Sequence, residues 1–209
     1  MTSFVRKFYA ALILLFLYLP IGVLIVFSFN ASKSRASWDG FTLRWYEELL
    51  GNQMVADALS NTLIVASGSA VIATIIGTAA AFAMYQGLGC WEKRIVMNLT
   101  YLPVLNPDIV TGLSLMLLFI FCNMKLGLMT LMLSHTIFNV PYVVLTVLPK
   151  LKQFDKSIYE AALDLGATPA YAFRHIVFPA VLPGVITGLL FAFTLSLDDF
   201  VISFFTTGS

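Results

Sequence analysis

Three aspartates stand inside apolar stretches: Asp108 in NPDIVTGLSLMLLF, and Asp198 and Asp199 in FTLSLDDFVISFF, residues 193–205. A charged group at the centre of a bilayer costs roughly 2.5–3.5 kcal/mol on insertion scales, so carboxylates kept there usually face a polar interior and serve a function. Two chemistries suit them. Spaced carboxylates attract a cation moving along a wet path, and aromatic faces add cation–π contact to that attraction. A pair of carboxyls sharing one water could instead cleave a peptide bond within the membrane. The second chemistry fits poorly, because neighbours such as Asp198 and Asp199 lie about 100° apart on one helix. A pairing of Asp108 with Asp198 is geometrically open, yet the chain has no Gly-x-Gly-Asp motif.

The neighbours of these aspartates sharpen the first reading. Thr187, Phe191, Thr194 and Asp198 share one helical stripe, and Ser196, Asp199 and Ser203 share the next. Together they form a polar wedge, as expected for a helix lining a wet path. Asp108 follows Asn106-Pro107, which reads as a helix start. It is therefore either a dipole-stabilised first-turn residue or a contact for the cargo. Trp45 and Tyr46, with Trp38, could supply aromatic faces near an entrance or simply anchor the chain at the headgroup level. His135 and Asn139 read as hydrogen-bonding groups between helices.

The elements that must position these residues follow from composition. Of 209 residues, 59% are hydrophobic and 11% charged, and the mean hydropathy is +0.90. Soluble domains carry roughly 25% charged residues, so the apolar excess here must face lipid. A net charge of +1 argues against a nucleic-acid surface. Cys90 and Cys122 make neither a disulfide framework nor a metal-ligand spacing. Apolar runs predict five spans, at about 8–29, 62–85, 95–121, 126–148 and 182–205, in a single transmembrane domain over 1–209. The first run is too long for a signal-peptide core, lacks a clean cleavage site, and reads as a retained anchor.

With the N-terminus inside, eight basic residues (Arg6, Lys7, Lys93, Arg94, Lys150, Lys152, Lys156, Arg174) are cytoplasmic and four (Lys33, Arg35, Arg44, Lys125) are outside. That bias supports a cytoplasmic N-terminus. Ser69, Ala73, Gly77 and Ala81 recur every four positions, as do Gly184 and Gly188. Such rows let helix backbones approach, within one subunit or between two.

Residues 150–180, on the cytoplasmic side, are punctuated locally. Asp155 predicts an N-cap, Lys156–Leu165 a helix, and Gly166 its C′ residue. Thr168 then caps a second helix with Pro169 at its first position, stopping at or before Pro179. Ala161, Ala162 and Gly166 offer little bulk, so a partner could approach closely, although a helix lying on lipid headgroups has the same pattern.

The stretch EAALDLGATPAYAFRHIVFPAVLPG resembles the EAA motif of ABC-importer permeases, through Glu160, Ala161, Ala162, Gly166, Ile176 and Pro179. The resemblance implies that this segment is a coupling helix docking in a groove of a cytoplasmic ATPase. SFNASKSRASWDGFTLRWYEELL, NPDIVTGLSLMLLF and LLFAFTLSLDDFVISFFTTGS are similar to permeases of the spermidine/putrescine (PotC/PotI) type.

That resemblance implies an all-helical, MetI-like bundle in a bacterial inner membrane. It implies a second permease subunit, an ABC ATPase dimer and an extracytoplasmic substrate-binding protein as partners, with lipid around them. ATP and Mg would be bound by the ATPase, and the chain itself would hold no cofactor and catalyse nothing. No Walker A loop occurs here. The implied cargo is a polyamine, the alternative being another small cationic or polar solute. A proton-coupled secondary transporter would often show internal repeats, and none is evident. The family pattern continues past Ser209 with an outer segment and a sixth span absent here, so the chain is expected to be truncated or shorter than its relatives.

Overall fold

The computed structural model describes residues 3–34, 36–86 and 89–208. Its helices are α1 (Ser3–Phe27), α2 (Arg44–Leu50), α3 (Gln53–Gln86), α4 (Cys90–Leu105), α5 (Asp108–Phe121), α6 (Leu128–Gln153), α7 (Lys156–Asp164), α8 (Pro169–Ala172), α9 (Phe178–Asp198) and α10 (Val201–Thr206), with a π-helical turn at Phe173–Val177. Among the described residues the extended pairing is one isolated bridge, Asn30 to Phe41. Four helices are long and apolar enough to cross a membrane, or five if the bent pair α4–α5 is one span. The chain divides into two compact units, residues 1–59 and 60–209.

In the first unit, α1 is apolar around its whole circumference, and none of its apolar stretch is buried. The loop after it is held by one side chain. Asn30, 1% exposed, donates through Nδ2 to the carbonyls of Ser37 (2.6 Å) and Ser34 (3.2 Å). Its Oδ1 accepts the Asp39 amide at 2.9 Å and the Ser32 amide at 3.4 Å. A buried amide whose donors and acceptor are all engaged fixes the loop, beside the stacked rings of Phe29 and Phe41 at 5.3 Å.

In the second unit, α6 lies along α9, and α4 also packs on α6. Small residues make the approach possible. A side chain at Gly77 would put its Cβ 2.7 Å from Val143 Cβ, and one at Gly188 would stand 2.6 Å from Thr146 Oγ1. The rows at Ser69–Ala81 and Gly184–Gly188 therefore serve packing inside this chain. Val143, Val147, Leu151 and Val181, all fully buried, fill the seam they open. A smaller cluster of Leu115, Phe119, Phe138 and Ile202 joins α5, α6 and α10.

Two expected spans and one expected cytoplasmic helix differ in shape. Residues 95–121 break at Asn106-Pro107, and the two helices meet at 107°. Asn106 is extended (ψ 142°), the conformation forced on a residue before proline, and Pro107 has no amide to continue the ladder. The helix expected over 126–148 runs on to Gln153 through Pro149, and Leu151 beyond that proline is fully buried. The helix led by Pro169 does not stop before Pro179. It passes through the π turn, in which the Phe178 amide bonds the Phe173 carbonyl, and continues as α9. A widened turn just upstream relieves the clash between a proline ring and the carbonyl four residues back. Cys122 is free and exposed; the Cys90 side chain lies outside the described residues, as does Arg35.

Candidate functional site

The helix carrying the paired aspartates ends between them. Asp198 is the last residue of α9, and Asp199 turns to an extended conformation (φ −72°, ψ 114°) before α10 begins. The Asp199 carboxylate accepts the Ile202 amide at 3.4 Å and the Ser203 amide at 3.1 Å, satisfying the open N-terminus of α10. Its Oδ2 is also 3.8 Å from His135 Nε2, which lies 3.0 Å from Ser203 Oγ. The Asp199 and His135 side chains are only 6% and 1% exposed. The two aspartates thus do not share one continuous helix as the sequence suggested. Asp199 is turned inward onto protein donors, while Asp198 remains exposed.

Ser196, one turn earlier, is buried at the crossing of three helices. It accepts from Asn139 Nδ2 at 2.7 Å and lies 3.2 Å from Ser69 Oγ. His135 and Asn139 do bond between helices, as expected of them.

Flanking the buried face of Gly184, Gly188, Ala192 and Ser196, about 110° round the helix, α9 presents Thr187, Phe191, Thr194 and Asp198, all exposed. The two threonine hydroxyls donate back to the carbonyls of Pro183 and Leu190 at 2.8 Å. This leaves their oxygen lone pairs turned outward. Asp108 occupies the first turn of α5, exposed, where the helix dipole favours a carboxylate. It lies within electrostatic reach of Tyr142 on α6. Tyr142 in turn meets Phe138 (centroids 5.3 Å, planes at 61°) and Phe191 (5.6 Å, 66°). Tyr142 thus joins Phe138 of the core to the α9 stripe, a link that sequence reasoning missed. The signal available was its spacing of four from Phe138 on α6.

Trp45 and Tyr46 belong to the first unit. The Trp45 indole donates to the Asn30 carbonyl at 2.8 Å, and its ring lies under Arg44 (4.9 Å) and Lys33 (6.0 Å). The faces offered to a cation are therefore met by two of the chain's own. Tyr46 packs on Phe29 (5.4 Å) with its hydroxyl 2.6 Å from Ser28 Oγ. Both line a cavity of about 450 Å³ with Lys33, Ser32 and Ser34.

The corner after α6 is built as its punctuation predicts. The Asp155 side chain accepts the Ser157 amide at 3.0 Å, and hydrogen bonds from Ser157 hold its carboxyl below the usual carboxylate range. At the other end of α7, Gly166 takes φ +89°. Its amide bonds the Leu163 carbonyl (2.9 Å) and the Ala167 amide bonds that of Ala162 (3.0 Å), a Schellman closure that needs a left-handed residue. Thr168 caps α8 through the Tyr171 amide at 3.3 Å. Glu160, Ala161 and Gly166 are exposed, and Leu165 between them is 89% exposed. Ile176 lies in the π turn and Pro179 at the start of α9. The corner is thus a rigid projection carrying a bare apolar tip.

Several apolar spans, a core closed by small residues, carboxylates at helix breaks and a projecting corner outside the spans define a multi-pass transport subunit. Residues 73–209 match the family described as "Binding-protein-dependent transport system inner membrane component", and the chain belongs to that family. It is 42% identical over 193 residues to the spermidine/putrescine transport system permease protein PotC of Escherichia coli (strain K12), covering 92% of this chain and 73% of that protein. Identity with PotC of Haemophilus influenzae is 38% over 205 residues, covering 98% and 79% of the two chains. With the putrescine transport system permease protein PotI of E. coli K12 it is 40% over 204 residues, covering 92% and 71%. The relatives are transport subunits rather than enzymes, and the chain is a multi-pass inner-membrane protein.

Proposed function

We propose that the chain acts as one transmembrane permease domain of an ATP-driven importer, and that with a second permease subunit it surrounds a path for spermidine or putrescine. The observation that carries this is the exposed stripe Thr187–Phe191–Thr194–Asp198, which turns hydroxyls, an aromatic ring and a carboxylate away from the chain's own core. A carboxylate on an apolar helix with no ion pair among the described residues suits a cationic cargo. Asp108 contributes a second negative charge, and the cargoes printed in the names of PotC and PotI are multiply charged cations.

In this reading Asp199 and Ser196 shape the path by holding its helices, and Trp45 and Tyr46 shape the outer loop that would meet a substrate-binding protein. Glu160–Gly166, with Ile176 and Pro179, would seat in a groove of an ABC ATPase dimer, which would bind ATP and Mg. The test is co-purification of the chain with its companion permease and ATPase in lipid. ATP hydrolysis should rise when spermidine or putrescine is added with the binding protein. Stimulation by an uncharged solute instead would overturn the cargo assignment.

The orientation we propose places the N-terminus in the cytoplasm, supported by the eight-to-four distribution of basic residues. The side of the later segments follows from the bent pair α4–α5, since a re-entrant pair would reverse every one of them. An impermeant thiol reagent should reach a cysteine placed at Ser34 from outside and one at Ala170 from inside. Labelling of both from one face would make α4–α5 a re-entrant pair.

A further inference from the structure

The geometry points to Tyr142 and Phe191 as an aromatic corner that receives an ammonium group of the cargo, an inference that rests on the path proposed above. Trp45 cannot serve freely, because Arg44 and Lys33 already stand over its ring at 4.9 and 6.0 Å. A second aromatic surface lies on α6 and α9. Tyr142 and Phe191 meet edge to face, at 66° with centroids 5.6 Å apart. Phe138, 5% exposed, braces the back of Tyr142 from within the core. Phe191 is 44% exposed and Tyr142 is half-buried, leaving the mouth of the corner open.

Three properties make this a cation site and not merely packing. Ring faces carry the negative part of the aromatic quadrupole and attract a cation over them. Asp108, exposed in the first turn of α5, adds a carboxylate to the same proposed path. Asp198 lies seven residues beyond Phe191 on the same helix face, about 10 Å along the axis. A flexible linear alkylammonium could thus set one charge in the corner and another on Asp198. Recognition is then by spaced positive charges along a chain, which separates such cargo from a single compact cation.

The test uses the full importer assembled around this chain. Phe191 is replaced by phenylalanines carrying one, two and three ring fluorines, which drain the face of negative potential while nearly preserving shape. The spermidine concentration for half-maximal uptake should rise at each step, by about two- to thirty-fold across the series, with complex abundance unchanged. Tyr142→Leu should show the same rise. A response flat across the series, or one that follows falling complex abundance, would overturn the aromatic corner. Asp198→Asn measured alongside tells the two readings apart. If it shows a cargo-charge-dependent loss while the fluorine series is flat, the path stands and only the corner falls. If neither shows one, the path reading itself has failed.

Discussion

Asp198→Asn is expected to lower polyamine transport about ten-fold or more while leaving the amount of assembled importer unchanged. Charge-assisted hydrogen bonds contribute roughly 1.5–3 kcal/mol, and asparagine keeps the size of the side chain while removing its charge. Asp198 is exposed, so few contacts within the chain depend on that charge. The loss should differ between a dication and a trication, since each spreads its positive charges over a different length.

Asp199 should behave otherwise. Its carboxylate closes the start of α10 through the amides of Ile202 and Ser203. Asp199→Ala removes that cap, costing about 1 kcal/mol in stability, and transport should fall with complex abundance, equally for both cargoes. Asparagine caps nearly as well, so Asp199→Asn should restore abundance. The measurement is initial uptake of spermidine and putrescine, normalised to importer captured from the membrane. Equal, abundance-tracking losses at Asp198 as well would make it a helix-holding residue and remove it from the path.

Gly166→Leu is expected to abolish capture of the ATPase while the permease still inserts. Two effects combine there. A residue other than glycine at φ +89° carries backbone strain of about 1–2 kcal/mol, and a leucine side chain stands out from the corner beside the bare Leu165. Beyond Gly166 and its two chain neighbours, no heavy atom of the described residues lies within 4 Å of where the Cβ would be, so a loss of docking would reflect the partner and not crowding inside the chain. Gly166→Ala shares the strain with far less bulk and separates the two. If conformation alone matters, both variants lose the ATPase equally; if close approach matters, alanine retains much of it. Wild-type capture and transport by Gly166→Leu would show that the corner does not dock.

What the sequence disclosed depended on how local each signal was. The corner was legible to the residue, because its determinants are a cap, a proline and a glycine, each acting within a turn: Asp155, Thr168-Pro169 and Gly166. Apolar runs located the spans for the same reason. The break after Asp198 was not legible. Neither glycine nor proline marks it, and the local sign was Asp199 itself, a residue type that caps helix starts, whose carboxylate meets the Ile202 and Ser203 amides inside an otherwise unbroken apolar run. Asn106-Pro107 announced a helix start, but the 107° angle depends on how α5 packs on α10. The covering of Trp45 was hidden because it needs the loop folded around Asn30 before Arg44 and Lys33 can reach the ring. Tyr142 was passed over because its spacing of four from Phe138 signals that local pair but not the contact with Phe191 on another helix.

The buried contact of Ser196 with Asn139 and Ser69 has a consequence for how unambiguous the bundle is. Ser69, Ala73, Gly77 and Ala81 repeat every four residues, so sliding α3 by one repeat, about 6 Å, again presents a small residue to each neighbour. Close packing of small residues in lipid therefore tolerates several alignments of nearly equal energy. The hydroxyl and amide do not: after such a slide Ser69 would be replaced opposite Ser196 by Ala73, which has no hydroxyl. Three short polar side chains act as a dowel that selects one alignment among those the smooth faces would permit. Ser196→Ala should accordingly loosen the choice among alignments more than it lowers the depth of any one of them.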